Sequence, residues 1–168
     1  MNLNTNLKEK DEKVLSYFIE TTFKKFLNHI MKEGKKATAE KVLRDTFANM
    51  QKNKTYLDFK ANNPKENIYT FYVRTMINLK PLIELKKNRL GRKVYLVPFP
   101  VKPARQLTLG FRELLNHARK RDNEKKMSIK LANELSLSYE EKSPSCKKLR
   151  LMYEEAYDNK AYSHYRWY

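Results

Sequence analysis

The chain is poor in cysteine, glycine, tryptophan and acid, and each shortage removes a class of function. One cysteine, Cys146, in 168 residues excludes an intrachain disulfide and fits a reducing compartment. Gly34, Gly91 and Gly110 are the only glycines, and neither GxGxxG, a P-loop nor a GxSxG elbow occurs, so no nucleotide cradle or hydrolase nucleophile is legible. His29, His117 and His164 lie far apart and form no zinc spacing with Cys146, so neither metal nor cofactor is assigned. The carboxylates Glu140-Glu141 and Glu154-Glu155 are adjacent pairs, which point to different helix faces and make no catalytic dyad. No residue pattern positions a general-base histidine, and the chain is expected not to be an enzyme. No apolar run reaches membrane length. Residues Met1 to Asp11 lack an apolar signal core, and Glu9, Asp11 and Glu12 mix with Lys8 and Lys10, unlike an organelle transit peptide. The expectation is a protein made in the compartment where it works.

What is abundant is positive charge. Lys+Arg is 36 against 19 for Asp+Glu, a formal net charge of +17. Such an excess repels itself in a folded body, and a polyanion relieves it. Nucleic acid does so with release of condensed counterions. An anionic membrane would favour one separate amphipathic basic helix; here the cations are spread over many segments. A basic surface that is merely solvated is the bland alternative. Hydrophobic residues make up 40% of the chain, enough for a real core.

Apolar spacing of helical period organises most of the sequence. A first helix is predicted at roughly 11–32, with Leu15, Phe18, Ile19, Phe23, Phe26, Leu27 and Ile30 on one face. Gly34 stops it, and Lys35 and Lys36 follow at the junction. A second, at roughly 37–53, turns Ala39, Val42, Leu43, Thr46, Phe47 and Met50 inward. Asn62-Asn63-Pro64 reads as a loop with the proline opening a third helix, which carries Ile68, Phe71, Tyr72, Thr75 and Leu79 and ends at Pro81.

The period then changes to two. Ile83, Leu85 and Lys87 alternate with Glu84 and Lys86; Tyr95, Val97, Phe99 and Val101 alternate with Val94, Leu96, Pro98 and Pro100. With a turn between Asn88 and Arg92, residues 82–101 read as a β-hairpin. Pro98 and Pro100 donate no ladder hydrogen bond, so the second strand must lie at an edge or leave the ladder early. A two-stranded ribbon is marginal in water, so one bearing Lys86, Lys87, Arg89, Arg92 and Lys93 reads as an arm held by a partner. An ordinary charged surface hairpin is the alternative.

Pro103 opens a fourth helix just after Lys102, with Leu107, Phe111, Leu114, Leu115 and Ala118 inward. Arg105, Arg112 and Arg119 recur every seventh residue and so share another face, extended by Lys120 and Arg121. One of these arginines could pair with Glu113; several with so few acids nearby point to an external anion. A fifth helix, roughly 124–139, buries Met127, Leu131, Ala132 and Leu135. Ser143-Pro144 caps a sixth, with Leu149, Met152, Tyr153 and Ala156 inward. Lys147, Lys148 and Arg150 crowd the early turns of that helix, against its dipole, which points to an external anion or, equally, to a cluster the helix tolerates. The closing Tyr162-Ser163-His164-Tyr165-Arg166-Trp167-Tyr168 interleaves aromatics with cations, suited to stacking on bases or, equally, to plugging the core. No repeat or composition break divides the chain. The reading is one domain, 1–168: mainly α, about six helices, with a hairpin arm between the third and fourth.

Four blocks in order give a family resemblance. FLNHIMKEGKKATAEKVL (Phe26 to Leu43), NLKPLIELKKNRLGRKVYLVPFPVKPARQLTLGFRELLNHARKR (Asn78 to Arg121), LANELS (Leu131 to Ser136) and AYSHYRW (Ala161 to Trp167) resemble signatures of the small-subunit ribosomal protein seven family. The resemblance covers nearly the whole chain from about Phe18. It implies a helical bundle with a β-arm that binds the 3′ major (head) domain of small-subunit rRNA, nucleates head assembly and lies near exit-site tRNA and the mRNA exit channel. Head and platform ribosomal proteins would be its neighbours; membrane and homo-oligomer are not expected. It implies RNA contact by Lys35 and Lys36, by Lys86, Lys87 and Arg89 of the arm, by Arg105, Arg112, Arg119, Lys120 and Arg121, and by Lys147, Lys148 and His164 to Trp167. The sequence departs from the family at three points. Gly91-Arg92 replaces two glycines at the arm turn, Met1 to Lys13 is a variable segment of mixed charge rather than Arg-rich, and the chain ends just after HYRW. With the Lys/Asn/Tyr/Phe/Ile-rich usage of AT-rich coding, these features are read as a mitochondrially encoded member in the matrix ribosome, with bacterial cytoplasm or plastid as the alternative. A basic helical DNA-binding protein, with Arg105 to Arg121 as recognition helix, is the alternative function.

Overall fold

The computed structural model describes residue 17, residues 19–121 and residues 126–167. Helix α1 occupies residues 19–30, and the segments α2 (Lys36–Met50), α3 (Lys54–Asn62) and α4 (Ile68–Leu79) follow. Strands β1 (Ile83–Leu90) and β2 (Lys93–Pro100) interrupt the helices. Then come α5 (Pro103–Lys120), α6 (Met127–Tyr139) and α7 (Pro144–Asp158), closed by a 3-10 segment, Asn159–Trp167. The architecture is mainly α with one antiparallel hairpin, as the sequence predicts. Leu15, Phe18 and residues 122–125, to which the sequence reading gave helix, lie outside the described residues.

Helix α6 is the hub. It packs on α2, α3, α4 and α5, and Leu131, Ala132 and Leu135 are essentially without exposure. The same core holds Phe26 and Ile30 of α1, Leu43 and Phe47 of α2, Phe71 and Tyr72 of α4, and Phe111 and Leu114 of α5. Ring contacts knit it together: Phe26 lies 5.6 Å from Tyr72 and 5.1 Å from Phe111, and Phe71 stacks on Tyr139 at 4.4 Å. Each such pair adds about 0.5–1.5 kcal/mol beyond area burial. Gly110 allows α5 to approach the end of α4, because a Cβ there would stand 3.2 Å from the Leu79 carbonyl oxygen.

Three sequence expectations need correction. The second helix ends at Met50 rather than near residue 53, and a further helix, α3, forms at Lys54–Asn62, where the sequence reading assigned none. The break is set from outside: the Asn53 side-chain amide donates to Ser136 Oγ at 2.8 Å and to Asn133 Oδ1 at 3.2 Å, both on α6. Pro64 does not open a helix. It sits in a turn whose carbonyls at Pro64 and Glu66 accept from Lys60 Nζ at 2.7 and 2.9 Å, and α4 begins only at Ile68. The arm's turn is shorter than Asn88 to Arg92: Leu90 pairs with Lys93, which leaves Gly91-Arg92 as a two-residue connection. Gly91 has φ +59° and Arg92 has negative φ, the pattern of a type II′ turn. One glycine at its first central position is therefore enough.

The prolines of β2 do not end the ladder. Counting from the turn, Leu90↔Lys93 is a hydrogen-bonded pair and the pairs alternate, so Leu85↔Pro98 and Ile83↔Pro100 fall at non-hydrogen-bonded positions. At those positions N–H and C=O point away from the partner strand, so a missing N–H costs the ladder nothing. The strand is nonetheless an edge, as expected. The hairpin base is held by Val101 N–H donating to the Leu82 carbonyl at 3.0 Å and by Leu82 N–H donating to the Tyr153 hydroxyl of α7 at 3.0 Å.

Glu134 of α6 is a fully buried carboxylate. Its Oε1 accepts from Ser145 Oγ at 2.7 Å, and Arg121 stands 3.6 Å from Oε2. Glu134→Ala is expected to leave both partners unsatisfied and to destabilise the fold by about 3 kcal/mol, with Glu134→Gln milder because the Ser145 acceptor survives. Urea unfolding of both variants checks this; equal, sub-kcal losses would remove the carboxylate from the fold's supports.

Candidate nucleic-acid interface

Helix α5 presents two faces. Gly110, Phe111, Leu114, Leu115 and Ala118 are buried, while Arg105, Arg112, Arg119 and Lys120 are exposed. Among the described residues, Arg112, Arg119 and Lys120 have no acidic partner. Arg112 lies close enough to His29 of α1 for its charge, second to burial, to hold the imidazole pKa below the usual histidine range. His29 therefore adds little competing positive charge near Arg112 at neutral pH.

The helix junction meets this face. Lys32, Glu33, Lys35, Thr38 and Arg119 line one open concavity of about 470 Å³ with Ile30, Ala39, Val42 and Met127. Glu33 and Gly34 make the bend there, with φ +54° and +71°. Lys35 holds Glu33 at 2.7 Å, both well exposed, and Lys36 is exposed beside it. The sequence places Lys35 and Arg119 in separate segments; the fold puts them in one hollow and adds Lys32, which sequence reasoning passed over. Its only signal was proximity to the Gly34 bend.

Three helices here begin on an uncapped lysine. Lys35, Lys102 and Lys126 occupy the N-caps of α2, α5 and α6, with no side-chain cap and no acid in the first turn. Free N–H groups, dipole and ammonium all favour an anion at such ends. Helix α7 differs: Ser143 Oγ accepts from Cys146 N–H at 3.1 Å, as the sequence predicts. Lys147 is exposed there, whereas Lys148 holds Glu113 of α5 at 2.7 Å and Arg150 holds Glu141 at 2.8 Å. These exposed pairs are worth about 0–1 kcal/mol, so either cation can exchange its carboxylate for a phosphate. Arg121 is more committed, through buried Glu134.

The arm's cations divide between its faces. Pairing puts Glu84, Lys86 and Asn88 on the face of Phe99, Val97 and Tyr95, and Lys87 and Arg89 on the other. Lys87, Arg92 and Lys93 are exposed, and Arg89 Nε donates to the Gly91 carbonyl at 3.2 Å. Lys86 lies 4.9 Å over the Phe99 ring and 3.1 Å from Glu84. Glu84 also accepts from Arg105 Nε at 2.9 Å, which clasps the arm to the start of α5. This clasp spans 21 residues of sequence and has no local signal.

The closing aromatics do not plug the bundle core. Tyr162 and Tyr165 pack on Tyr95 of the arm at 4.9 and 5.1 Å, and Arg166 Nε donates to the Pro98 carbonyl at 2.6 Å. His164 is exposed against the Tyr165 ring, and Trp167 is 88% exposed.

A family model described as ribosomal protein S7p/S5e matches residues 4–160. The chain belongs to the ribosomal protein S7p/S5e family. It is 39% identical over 143 residues to small ribosomal subunit protein uS7 of Sulfurovum sp. (strain NBC37-1), a match covering 85% of each chain. Over the same length and shares it is 41% identical to the protein of that name from Sulfurimonas denitrificans and 37% identical to that of Desulfatibacillum aliphaticivorans. Members of this ribosomal family are structural, not enzymatic, which agrees with the absence of catalytic motifs in the sequence. No described helix of this S7p/S5e member is long and apolar enough to cross a membrane, and no described group of acids, histidine and cysteine is arranged to hold a metal.

The clasp at Glu84 predicts a pH dependence. Burial alone would raise the Glu84 pKa, but hydrogen bonds and charges from Arg105 and Lys86 outweigh it and hold the carboxyl below its ordinary value of 4.5. A depressed folded pKa contributes stability that is complete above the ordinary value and lost as pH falls through the lowered one. The protection factors of amides in β1 and β2, followed as pH drops below 4.5, should fall in the native chain, and Glu84→Gln should remove that pH dependence. An identical acid response in the variant would assign it to another group.

Proposed function

We propose that this protein is a structural constituent of the small ribosomal subunit that binds the head domain of its rRNA and nucleates head assembly. The observation that carries the reading is the hollow where Lys32, Lys35 and Arg119 converge, continuous along α5 with Arg112 and, at its far end, with Arg105 and the arm. Cations drawn from the α1–α2 bend, α5 and the arm suit a multi-helix RNA junction, whose phosphates approach from several directions. Recognition is mostly of shape, because A-form RNA hides base edges in a deep, narrow groove. Lys147 at α7 and the exposed Trp167 extend the same contact, and the arm reaches toward exit-site tRNA and the mRNA channel beside neighbouring head and platform proteins. Lys/Asn/Tyr/Phe/Ile-rich usage supports a mitochondrial ribosome as the setting. The DNA-binding alternative would need a dimer matched to duplex half-sites, and no dimer seam is legible in the sequence.

Two measurements test this. Sedimentation of native lysate should place the protein with the small subunit through moderate salt, and in purified mitochondria for the organellar setting. Migration as a free small protein would overturn the assignment, and recovery only from bacterial ribosomes would overturn the setting. Arg112→Ala should weaken binding to a head-domain rRNA transcript by about 1 kcal/mol and shallow the logarithmic salt dependence by about one unit. Unchanged affinity and slope would take Arg112 out of the interface.

A further inference from the structure

We propose that the closing segment Asn159–Trp167 is a brace that sets the direction of the arm, with Arg166 and Tyr165 as positioning residues rather than direct RNA ligands. The inference rests on the reading that the arm meets RNA.

The parity of the hairpin register makes the case. Pro98 sits at a non-hydrogen-bonded pair, so its carbonyl points out from the free edge of β2. That carbonyl has no strand to serve, and Arg166 Nε donates to it at 2.6 Å. Three residue pairs further out, Asn88 Nδ2 donates to the Tyr165 carbonyl at 2.8 Å, so the segment is tied to both strands. Tyr95, directly opposite Asn88 in the register, packs on Tyr162 and Tyr165, whose rings are nearly parallel at an interplanar angle of 9°. The prolines that remove donors from this edge thus leave acceptors for a side chain to use.

A two-stranded ribbon needs such support to hold one direction. Its base is fixed by Leu82, Val101 and Tyr153, but those contacts grip only the first residues. The segment continues directly from α7, which itself packs on α4, α5 and β1. A rigid line therefore runs from the bundle through α7 and the 3-10 turn to mid-arm. Arg166 is half-buried in this line and spends its directional donor on a carbonyl, while the exposed neighbours His164 and Trp167 stay on the outside.

The test uses the full chain with Arg166→Ala, Arg166→Gln and Asn88→Ala, and a head-domain rRNA transcript as probe. Arg166→Ala and Asn88→Ala should each speed amide exchange in β1 and β2 at least tenfold, leave α4, α5 and α6 unchanged, and weaken RNA binding several-fold without altering its salt slope. Arg166→Gln, neutral but still a donor, should restore much of both. Unchanged arm exchange overturns the brace, and so does acceleration throughout the bundle. A shallower slope in Arg166→Ala that Arg166→Gln fails to rescue overturns it in favour of direct phosphate contact. A loosened arm with full RNA affinity keeps the brace and overturns the arm's role in binding.

Discussion

The burial of α6 among α2, α3, α4 and α5 is the interaction on which the other features rest. A chain with net charge +17 repels itself, and only apolar contact, which is blind to that charge, can hold it compact before a polyanion arrives. Aromatic residues do much of this work, because each buries a large area with few rotamers to lose. With Leu131 and Leu135 sealed inside, the faces opposite the core are free to carry unpaired cations.

Four of the scarce acids stand where elements meet. Glu84 joins the arm to α5 through Arg105, Glu113 joins α5 to α7 through Lys148, and Glu134 ties Arg121 and the start of α7 to the hub. The Glu140 side chain accepts from Thr55 at 2.7 Å and so joins α6 to α3. Among the described residues, spending carboxylates at joints leaves Arg112, Arg119 and Lys120 without an acidic partner, which is the condition for binding phosphate with counterion release. Structure and binding thus draw on opposite charges of the same chain.

The arm combines two strategies. A type II′ turn and alternating pairs make a regular ribbon, and the prolines at non-hydrogen-bonded positions keep its outer edge closed to further strands. The C-terminal segment then uses the carbonyl that this arrangement leaves bare. Edge protection and attachment are two results of one register.

Much of this was legible in the residues themselves. Periods of helix and strand, the Gly34 bend, the Ser143 cap and the arginines spaced along α5 depend on neighbours within a few positions, so sequence alone determined the mainly α class, the hairpin, the family and the basic face of α5. Other features required distant partners. The break before α3 depends on Asn53 meeting α6, the delayed start of α4 on Lys60 folding back over a turn, and the state of Arg121 on a carboxylate buried 13 residues later. Tyr162 and Tyr165 read equally as base-stackers or as a core plug, and the fold turned them onto the arm instead. The physical reason is the same each time: spacing shows which residues share a face, and only packing decides which face meets it, because a hydrogen bond or ion pair between elements leaves no periodic trace in the chain.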